Sequence, residues 1–438
     1  MKLKAFLISA FAAALCFVLA GCNVFTADTA ELLKPPALSG DIAPISDAIS
    51  KSAGGEYILK YPSDGNYRSA VVQNDINGDG LLEAFAFYSM TEDENTVMYI
   101  NIICNENGEW VSAARQKIVA GGVNRLEFSD LDGDGIQEIL VGWEIYGTSE
   151  MQLAVYSYKD KLITQRMLQQ YTDFVCCDLD EDGYNEIMIL RLDPAAQKNL
   201  ASLYVITESG VTELYSCPLD TAVTAVSSMT VSPLSSGKQA VYIDEVKGVG
   251  AVTEVLFIEK NRLVNPLYNT ESRETTATLR TVAQSTADIN SDGILEIPVQ
   301  EDVPSISKSG VNEKLYLTKW CSFNGETLTP QLTALMNNDN GFYYIIPSKW
   351  IGRIAVLRDT DKNLREIYSY DSAAMAAGNL LLSLKTVSGE SYEEDGAGEG
   401  YEYLTSYGGR VYLCSISEEA EKDGLTLEEV KKNFKVIE

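Results

Sequence analysis

The sequence contains no histidine, and acidic residues far outnumber basic ones. Among 438 residues, 34 are Lys or Arg and 63 are Asp or Glu, which gives a formal net charge of −29. Without histidine, the chain lacks the commonest general base, the histidine of serine and cysteine triads, and the commonest zinc ligand. The acidity argues against nucleic acid and anionic lipid surfaces as partners. An enzyme of this composition would depend on carboxylates, Tyr, Lys or a metal ion.

Part of the acidity is concentrated in a nine-residue pattern that occurs four times. In the copy from Asp130 to Glu138, aspartates occupy positions one, three and five, glycine follows at position six, and glutamate ends the pattern. The other copies begin at Asp75, Asp178 and Asp288. Carboxylates this close repel one another unless a cation lies between them. Calcium suits such a loop best, because it accepts about six to eight oxygen ligands in flexible geometry.

We predict about four Ca²⁺ sites, one in each loop. The predicted ligands are the side chains at positions one, three, five and nine and the backbone carbonyl at position seven. Loop by loop they are Asp75, Asn77, Asp79, Leu81 and Glu83; Asp130, Asp132, Asp134, Ile136 and Glu138; Asp178, Asp180, Asp182, Tyr184 and Glu186; and Asp288, Asn290, Asp292, Ile294 and Glu296. Each ion is interpreted as a structural staple of its loop; the alternative is that calcium regulates adhesion.

The spacing of the loops predicts a repeated β unit. Asp75 and Asp130 are 55 residues apart, Asp130 and Asp178 are 48 apart, and Asp178 and Asp288 are 110 apart, or about two further units. Midway in that last interval, residues 232–237 form a degenerate copy that keeps the glycine and the following apolar run but has no carboxylate. A period of about 50 residues, with room for four strands, is typical of propellers and arrays.

The pattern resembles the FG-GAP or VCBS repeat family, whose calcium-loop blades also occur in the propellers of integrin α-subunits. The resemblance covers about residues 66–335 and rests on the acidic loops, since the Phe-Gly and Gly-Ala-Pro signatures of the classical repeat are absent. It implies a mainly β fold with a propeller over residues 66–340, in which five blades are visible and six or seven can be accommodated. The whole chain also resembles bacterial surface lipoproteins that carry such repeats.

Residues 1–21 have the pattern of a lipoprotein signal peptide. Lys2 and Lys4 precede an apolar run that ends in Leu-Ala-Gly-Cys22. This ending resembles the bacterial lipobox, whose cysteine is lipidated and becomes the new N-terminus; the alternative is an ordinary secretory signal with an incidental cysteine. We therefore expect a lipid anchor at Cys22, a tether over residues 22–39, and a location on the extracytoplasmic face of a bacterial cell membrane.

The segments on either side of the repeats have different patterns. Residues 40–65 predict a short helix and a strand that pack on the propeller. Residues 341–438 contain no acidic nonapeptide and are predicted to form a small, separate α+β domain; the alternative is that the first strands of this segment form a sixth blade. Within it, Thr426 and Glu429 have the spacing of a capping box at the start of a last helix.

No catalytic constellation is found outside the four loops, so the leading interpretation is a non-catalytic binding or scaffold module for a protein or glycan partner. Two alternatives remain open at this stage. The first is a polysaccharide-active enzyme, a lyase or hydrolase, that works through carboxylates. The second is an envelope assembly factor in which the C-terminal domain is the working part.

Overall fold

The computed structural model describes residues 42–93, 96–282, 284–306 and 314–437. The protein is mainly β, with 54% strand and 10% helix. The predicted signal peptide (residues 1–21), the tether (residues 22–39) and Cys22 lie outside the described residues. None of the described helices has the length and apolar character needed to cross a membrane.

Six antiparallel sheets follow one another along the chain, and hairpins join most of their strands. The first sheet contains β1 (Tyr57–Lys60), β2 (Val71–Asn74), β3 (Glu83–Met90), β4 (Met98–Glu106) and β5 (Glu109–Ile118). The second contains β6 (Gly122–Ser129), β7 (Glu138–Glu144), β8 (Met151–Lys159) and β9 (Leu162–Tyr171). The third contains β10 (Asp173–Cys177), β11 (Glu186–Arg191), β12 (Leu200–Thr207) and β13 (Gly210–Pro218).

The second half of the chain continues the series. The fourth sheet contains β14 (Val223–Pro233), β15 (Gln239–Lys247), β16 (Gly250–Ile258) and β17 (Leu263–Val264), and a small ribbon of β18 (Tyr268–Asn269) and β19 (Glu274–Thr275) follows. The fifth contains β20 (Ile297–Val303), β21 (Leu315–Phe323), β22 (Leu328–Asn337), β23 (Phe342–Ile345) and the last strand, β29 (Phe434–Val436). The sixth contains β24 (Ile354–Asp359), β25 (Leu364–Asp371), β26 (Ala376–Ser388), β27 (Glu402–Tyr407) and β28 (Arg410–Ile416).

Helices are few and lie at the two ends of the described chain. They are α1 (Ala43–Ala53), α2 (Gly389–Asp395), α3 (Glu418–Lys422) and α4 (Leu427–Asn433), and three short 3₁₀ turns lie at Thr91–Asp93, Asn338–Asn340 and Ser348–Trp350. The predicted capping box is present at the start of α4. The Thr426 side chain accepts a hydrogen bond from the backbone of Glu429, whose side chain accepts one from the backbone of Thr426.

The sheets pack face to face in chain order. A separate hydrophobic cluster fills each of the five interfaces between consecutive sheets. On β7, Ile139 and Val141 face the first sheet, and Leu140 faces the third. Successive side chains of a strand point to opposite faces, so a strand that is covered on both faces reads as a continuous apolar run. This explains why the strands that follow the acidic loops do not alternate between apolar and polar residues.

Helix α1 covers the outer face of the first sheet. Ile45 and Ile49 of the helix pack with Ala84, Ala86 and Tyr88 of β3, whereas the intervening side chains of β3 face the second sheet. No core cluster of the described residues joins the first sheet to the sixth, and none of the sheets there is closed into a barrel. Ring closure of the predicted propeller is therefore not seen in this part of the chain.

The sheet topology crosses the boundary that the sequence predicts at residue 341. Strand β23 pairs with β22, which lies before the boundary, and β29 adds to the other edge of β23. The end of the chain thus completes the fifth sheet, and the sixth sheet lies wholly within the predicted α+β segment, 341–438. Five repeat units are visible in the sequence, but the described residues form six sheets, because the last sheet has no acidic loop to mark it.

Buried carboxyl groups lie between the third and fourth sheets. Glu245 and Glu254 are fully buried on the face of the fourth sheet that also carries Ile243, which packs against the third sheet. Glu254 accepts hydrogen bonds from the Asp220 backbone, Asn265 Nδ2 and the Thr275 hydroxyl at 2.7–3.0 Å. Burial, and then the adjacent charge of Glu254, raise the pKa of Glu245 well above its ordinary value. The folded protein therefore favours the protonated form of Glu245.

We predict that Glu245→Gln stabilises the protein at mildly alkaline pH. The folded-state pKa of Glu245 lies above the ordinary value of 4.5. Its favourable contribution is therefore complete below that ordinary value and is lost as the pH rises through the folded-state pKa. Glutamine is neutral at every pH, so thermal unfolding should give a smaller loss of stability with rising pH. The expected gain at alkaline pH is roughly 1–3 kcal/mol.

Glu271→Gln is the matched control, because Glu271 is an exposed glutamate in the turn between β18 and β19. It should leave the pH dependence unchanged. Equal pH profiles for Glu245→Gln and the unsubstituted protein would contradict a raised pKa of Glu245 in the folded protein.

Candidate metal-binding loops

The four acidic loops occupy equivalent places in the sheets. The first three connect β2 to β3, β6 to β7 and β10 to β11, and their last residues, Glu83, Glu138 and Glu186, begin the second strand of each pair. The fourth loop ends at Glu296, directly before β20, and Glu296 forms a β-bridge with Ala287. Each loop is therefore a turn between two antiparallel segments at the entrance to a buried strand.

The first aspartate of each loop holds the turn together. Its Oδ2 accepts a hydrogen bond from the backbone N–H of the glycine at position six, at 2.8–3.0 Å in all four loops. These glycines, Gly80, Gly135, Gly183 and Gly293, have φ values of 83° to 96°. Glycine is required there because a side chain is strained in this left-handed region. The glycine at position six is thus the residue at which each loop turns.

The glutamate at position nine ties the loop to the strand. Its Oε2 accepts a hydrogen bond from the backbone N–H of position two, at 2.9–3.1 Å in every loop. All four glutamates are at most 5% exposed. Burial, followed by repulsion from the aspartates of the same loop, raises the pKa of Glu138 and of Glu186 to about 7. Burial also raises the pKa of Glu83 and of Glu296 above the ordinary value.

Two of the loops gather their carboxylates closely enough to hold a metal ion. In the third loop, oxygens of Asp178, Asp180, Asp182 and Glu186 all lie within 4.8 Å of one another. In the second, the same holds for Asp130, Asp132 and Glu138. Oxygens that coordinate one Ca²⁺ at about 2.3–2.6 Å are separated by no more than about twice that distance. A cation there would also offset the repulsion that raises the pKa of the buried glutamates.

Basic side chains approach the second loop, which the sequence analysis did not anticipate. Arg166 Nη1 lies 3.6 Å from Asp132 Oδ2, and Lys159 Nζ lies 3.9 Å from Asp134 Oδ2. With Glu138 they line a cavity of about 240 Å³ beside the loop. Pairing of β8 with β7 and of β9 with β8 brings these cations to the loop, and the nonapeptide itself contains no signal for them.

In the first and fourth loops, asparagine replaces the aspartate at position three. Asn77 and Asn290 each accept a hydrogen bond from the backbone N–H of position five, at 2.9 Å. Asn290 Nδ2 also donates to Asp292 and Glu296, at 2.9 and 3.1 Å. The amide therefore satisfies part of the negative charge of the fourth loop. Among the described residues, only the second and third loops form clusters of three or more carboxylates.

The residues at position seven contribute through the backbone. The N–H groups of Leu81, Ile136, Tyr184 and Ile294 donate to the aspartate at position five, at 2.8–2.9 Å. This contact orients the aspartate. The use of their carbonyl oxygens as metal ligands stays a prediction.

The degenerate copy in the fourth sheet provides an internal comparison. It connects β14 to β15, and Leu234 N–H donates to the Lys238 carbonyl at 2.8 Å while Ser235 N–H donates to the Phe323 carbonyl at 2.9 Å. Leu234 is buried, and Gly237 keeps a φ of 89°. Backbone groups thus close this turn without any carboxylate. The acidic residues of the other four loops are therefore not needed simply to form a hairpin at this position.

No protein-family model matches the chain, and no curated protein matches it. Among solved structures, it is similar to the exotype rhamnogalacturonan lyase YesX, with 11% identity and a TM-score of 0.31 over 74% of this chain and 84% of that one. It is also similar to a Bacillus licheniformis rhamnogalacturonan lyase, with 13% identity and a TM-score of 0.32 over 74% of this chain and 77% of that one. An exo-β-1,3-galactanase from Clostridium thermocellum matches with 12% identity and a TM-score of 0.21 over 87% of this chain and 99% of that one. Such low TM-scores carry no argument about this protein's activity.

We predict that Asp178→Asn removes one ion from the calcium-loaded protein. The amide keeps a hydrogen-bond acceptor for Gly183 but removes one charge from the four-carboxylate cluster. Metal content is measured by mass spectrometry, and thermal unfolding is followed with calcium and with a chelator. At a free calcium concentration of about 100 times the Kd, one site stabilises the folded state by about 2.7 kcal/mol. The variant should lose about that much of the stabilisation that calcium provides.

Glu181→Gln is the control in the same loop. Glu181 is exposed and lies outside the cluster, and it accepts a hydrogen bond from the Gln239 backbone at 3.3 Å, which glutamine can retain. Equal losses of metal in the two variants would show that only the overall charge of the loop matters.

Proposed function

We propose that this chain is a calcium-stapled, lipid-anchored binding protein on the outer face of a bacterial membrane. It engages a protein or glycan partner and does not catalyse a reaction. The observation that carries the metal part is the clustering of carboxylates in the second and third loops, each around one buried glutamate. The same hydrogen bonds recur in the other two loops, which supports about four sites in total.

Calcium is the ion that fits best. The donors are carboxylate, amide and carbonyl oxygens, and the loops turn at glycines, as flexible calcium loops do. Calcium is plentiful outside the cell, so sites of weak affinity would be filled there. The ions act as staples, because a ligand that binds only the folded chain stabilises it by mass action. We also propose that the sheets are the blades that the repeat resemblance implies. We do not propose that they close into a ring, because α1 covers the outer face of the first sheet.

A binding role suits the residues better than catalysis. The chain has no histidine. The Glu245 and Glu254 carboxyl groups lie together outside the loops, but they are fully buried and so cannot reach a polysaccharide. Aspartates of the acidic loops are committed to their turns and to the proposed ions.

A glycan array and a turnover assay together test the proposed function. Full-length, calcium-loaded protein in detergent is applied to an array of bacterial and plant glycans, and the same glycans are assayed for cleavage products. We expect saturable binding that chelation abolishes, with no cleavage. Release of oligosaccharides would instead favour a polysaccharide lyase or hydrolase. Neither binding nor cleavage of any glycan would exclude a glycan partner and favour the scaffold or envelope assembly roles.

We predict that Cys22→Ser abolishes fatty-acid labelling of the protein. Serine has no thiol to take a diacylglyceryl group, so the chain would lose its anchor, and processing at the lipobox would fail. Membrane and soluble fractions of cells, metabolically labelled with a fatty acid, provide the measurement. Cys16→Ser is the control, because Cys16 lies in the same apolar run but outside the lipobox. This variant should remain labelled. Unchanged labelling of Cys22→Ser would exclude the lipid anchor.

A further inference from the structure

The second acidic loop has a basic side chain built into its cluster of carboxylates. Arg166 Nη1 lies 3.6 Å from Oδ2 of Asp132, one of the predicted metal ligands. The Arg166 side chain is 17% exposed and that of Asp132 is 5% exposed, so water and salt screen their attraction only weakly. Lys159 also approaches the loop, but 71% of its side chain is exposed, and pairs of that kind contribute little. Arg166 is therefore the principal cation of this loop.

A β-bulge places Arg166 beside the loop. The register between β8 and β9 shifts by one residue at Arg166, which leaves it as the extra residue between Gln165 and Met167. A bulge redirects the side chain of its extra residue relative to the regular strand. Arg166 Nη2 also donates a hydrogen bond to the Thr207 carbonyl at 2.5 Å, in the strand β12 of the next sheet. The guanidinium is thus held between the second loop and the third sheet.

The same bulge occurs in each of the four sheets that carry an acidic loop. In every case the residue after the position-nine glutamate pairs with a residue of the next strand, and that residue pairs in turn with the one directly before the bulge. The four bulged residues are therefore equivalent in register. From the first loop to the fourth they are Ala113, Arg166, Leu214 and Gln331. The charge at this position belongs to the second loop alone.

The third loop has the same carboxylates without this cation. Both loops have aspartates at positions one, three and five and a buried glutamate at position nine, and both gather carboxylates into a cluster. In the part of the chain that the structure describes, no ion pair reaches the carboxylates of the third loop. A divalent cation that enters the second loop is therefore repelled by Arg166, and one that enters the third loop meets no such charge.

The contact between Arg166 and Asp132 attracts the two side chains without locking them together. An N–H···O hydrogen bond joins atoms about 2.7–3.2 Å apart, and the 3.6 Å between Arg166 Nη1 and Asp132 Oδ2 exceeds that range. Both side chains also line the cavity of about 240 Å³ beside the loop. The guanidinium thus has room to move away from Asp132 while its charge favours the loop in the ion-free form.

We propose that Arg166 is a tethered cation that stabilises the ion-free second loop and lowers the affinity of this loop for calcium. The third loop then fills at lower calcium concentrations than the second. The occupancy of the second loop follows the calcium concentration outside the cell over a range in which the third loop stays filled. This inference deepens the proposed function and rests on it in one respect, that the acidic loops bind calcium; it requires no glycan or protein partner.

The test is a calorimetric titration of full-length, metal-free protein in detergent with calcium, while mass spectrometry counts the ions per chain. Arg166→Gln should tighten calcium binding at one site by roughly tenfold, because it removes a like charge from a weakly screened position. The same variant should unfold at a lower temperature in the presence of a chelator, because the ion-free loop loses its cation. A variant that merely misfolds would lose both stability and calcium affinity.

Three further variants assign the effect to the second loop. Asp130→Asn should remove one bound ion, and in that background Arg166→Gln should leave the titration of the remaining sites unchanged. Leu214→Arg places a guanidinium at the equivalent bulge of the third sheet and should weaken one site by a similar factor. Arg262→Gln is the control, because Arg262 is exposed in the turn between β16 and β17, in the sheet whose loop has no carboxylate. It should leave the calcium titration unchanged.

Several results would overturn this proposal. They are an unchanged or weaker calcium affinity of Arg166→Gln, an unchanged stability of that variant in chelator, or a gain in affinity that persists in the Asp130→Asn background. Each of them leaves the proposed function intact, because the unsubstituted protein would still bind calcium. If the unsubstituted protein binds no calcium, this inference and the metal part of the proposed function fail together, and the glycan array decides separately on the binding role.

Discussion

Burial of both faces of the central strands is the constraint on which the rest of the structure depends. A strand such as β7 has Ile139 and Val141 on one face and Leu140 on the other. Both faces are shielded from water only when a sheet packs on each side. One sheet alone would expose a broad apolar surface, and the series of six sheets leaves such a surface only at its ends. Helix α1 covers the outer face of the first sheet, and it does so with Ile45, Ala48 and Ile49 on one side of the helix.

The acidic loops add a second, local constraint. Each places its last glutamate at the entrance to a buried strand, where the side chain is nearly inaccessible to water. A charge in such a place is unfavourable, and the shift of the Glu138 and Glu186 pKa to about 7 expresses that penalty. The degenerate loop between β14 and β15 shows that a backbone-closed turn can replace this arrangement. The turn between the first two strands of a sheet is thus closed in two ways in this protein, by carboxylates in the acidic loops and by backbone groups in the degenerate loop.

The local features were predictable from the sequence, and the long-range ones were not. The nine-residue spacing specifies the glycine turn and the position-nine glutamate, because both hydrogen bonds join residues within one loop. The capping box of Thr426 and Glu429 is local in the same way. Strand β29, however, joins β23 across about 90 residues of chain, and no periodicity records that pairing. The mainly β character was therefore predictable, but the course of the C-terminal segment was not.

A cavity of about 330 Å³ between the fifth and sixth sheets could not be predicted from the sequence for the same reason. Arg280, Asn337 and Arg365 come from three segments that share no motif. Each would be read as an ordinary polar residue of a strand or loop. Only the packing of one sheet against the next brings them together, so the lining of the cavity is a property of the interface between the sheets.

The covered face of the first sheet has a consequence for how such a molecule can change in size. Each internal sheet presents an apolar face to either neighbour, so one sheet can be inserted or removed without altering the kind of contact on its two sides. The helix-bearing end is different, since it offers no face for a further sheet. A further sheet would therefore find a matching apolar face in the middle of the series but not at the end that α1 covers.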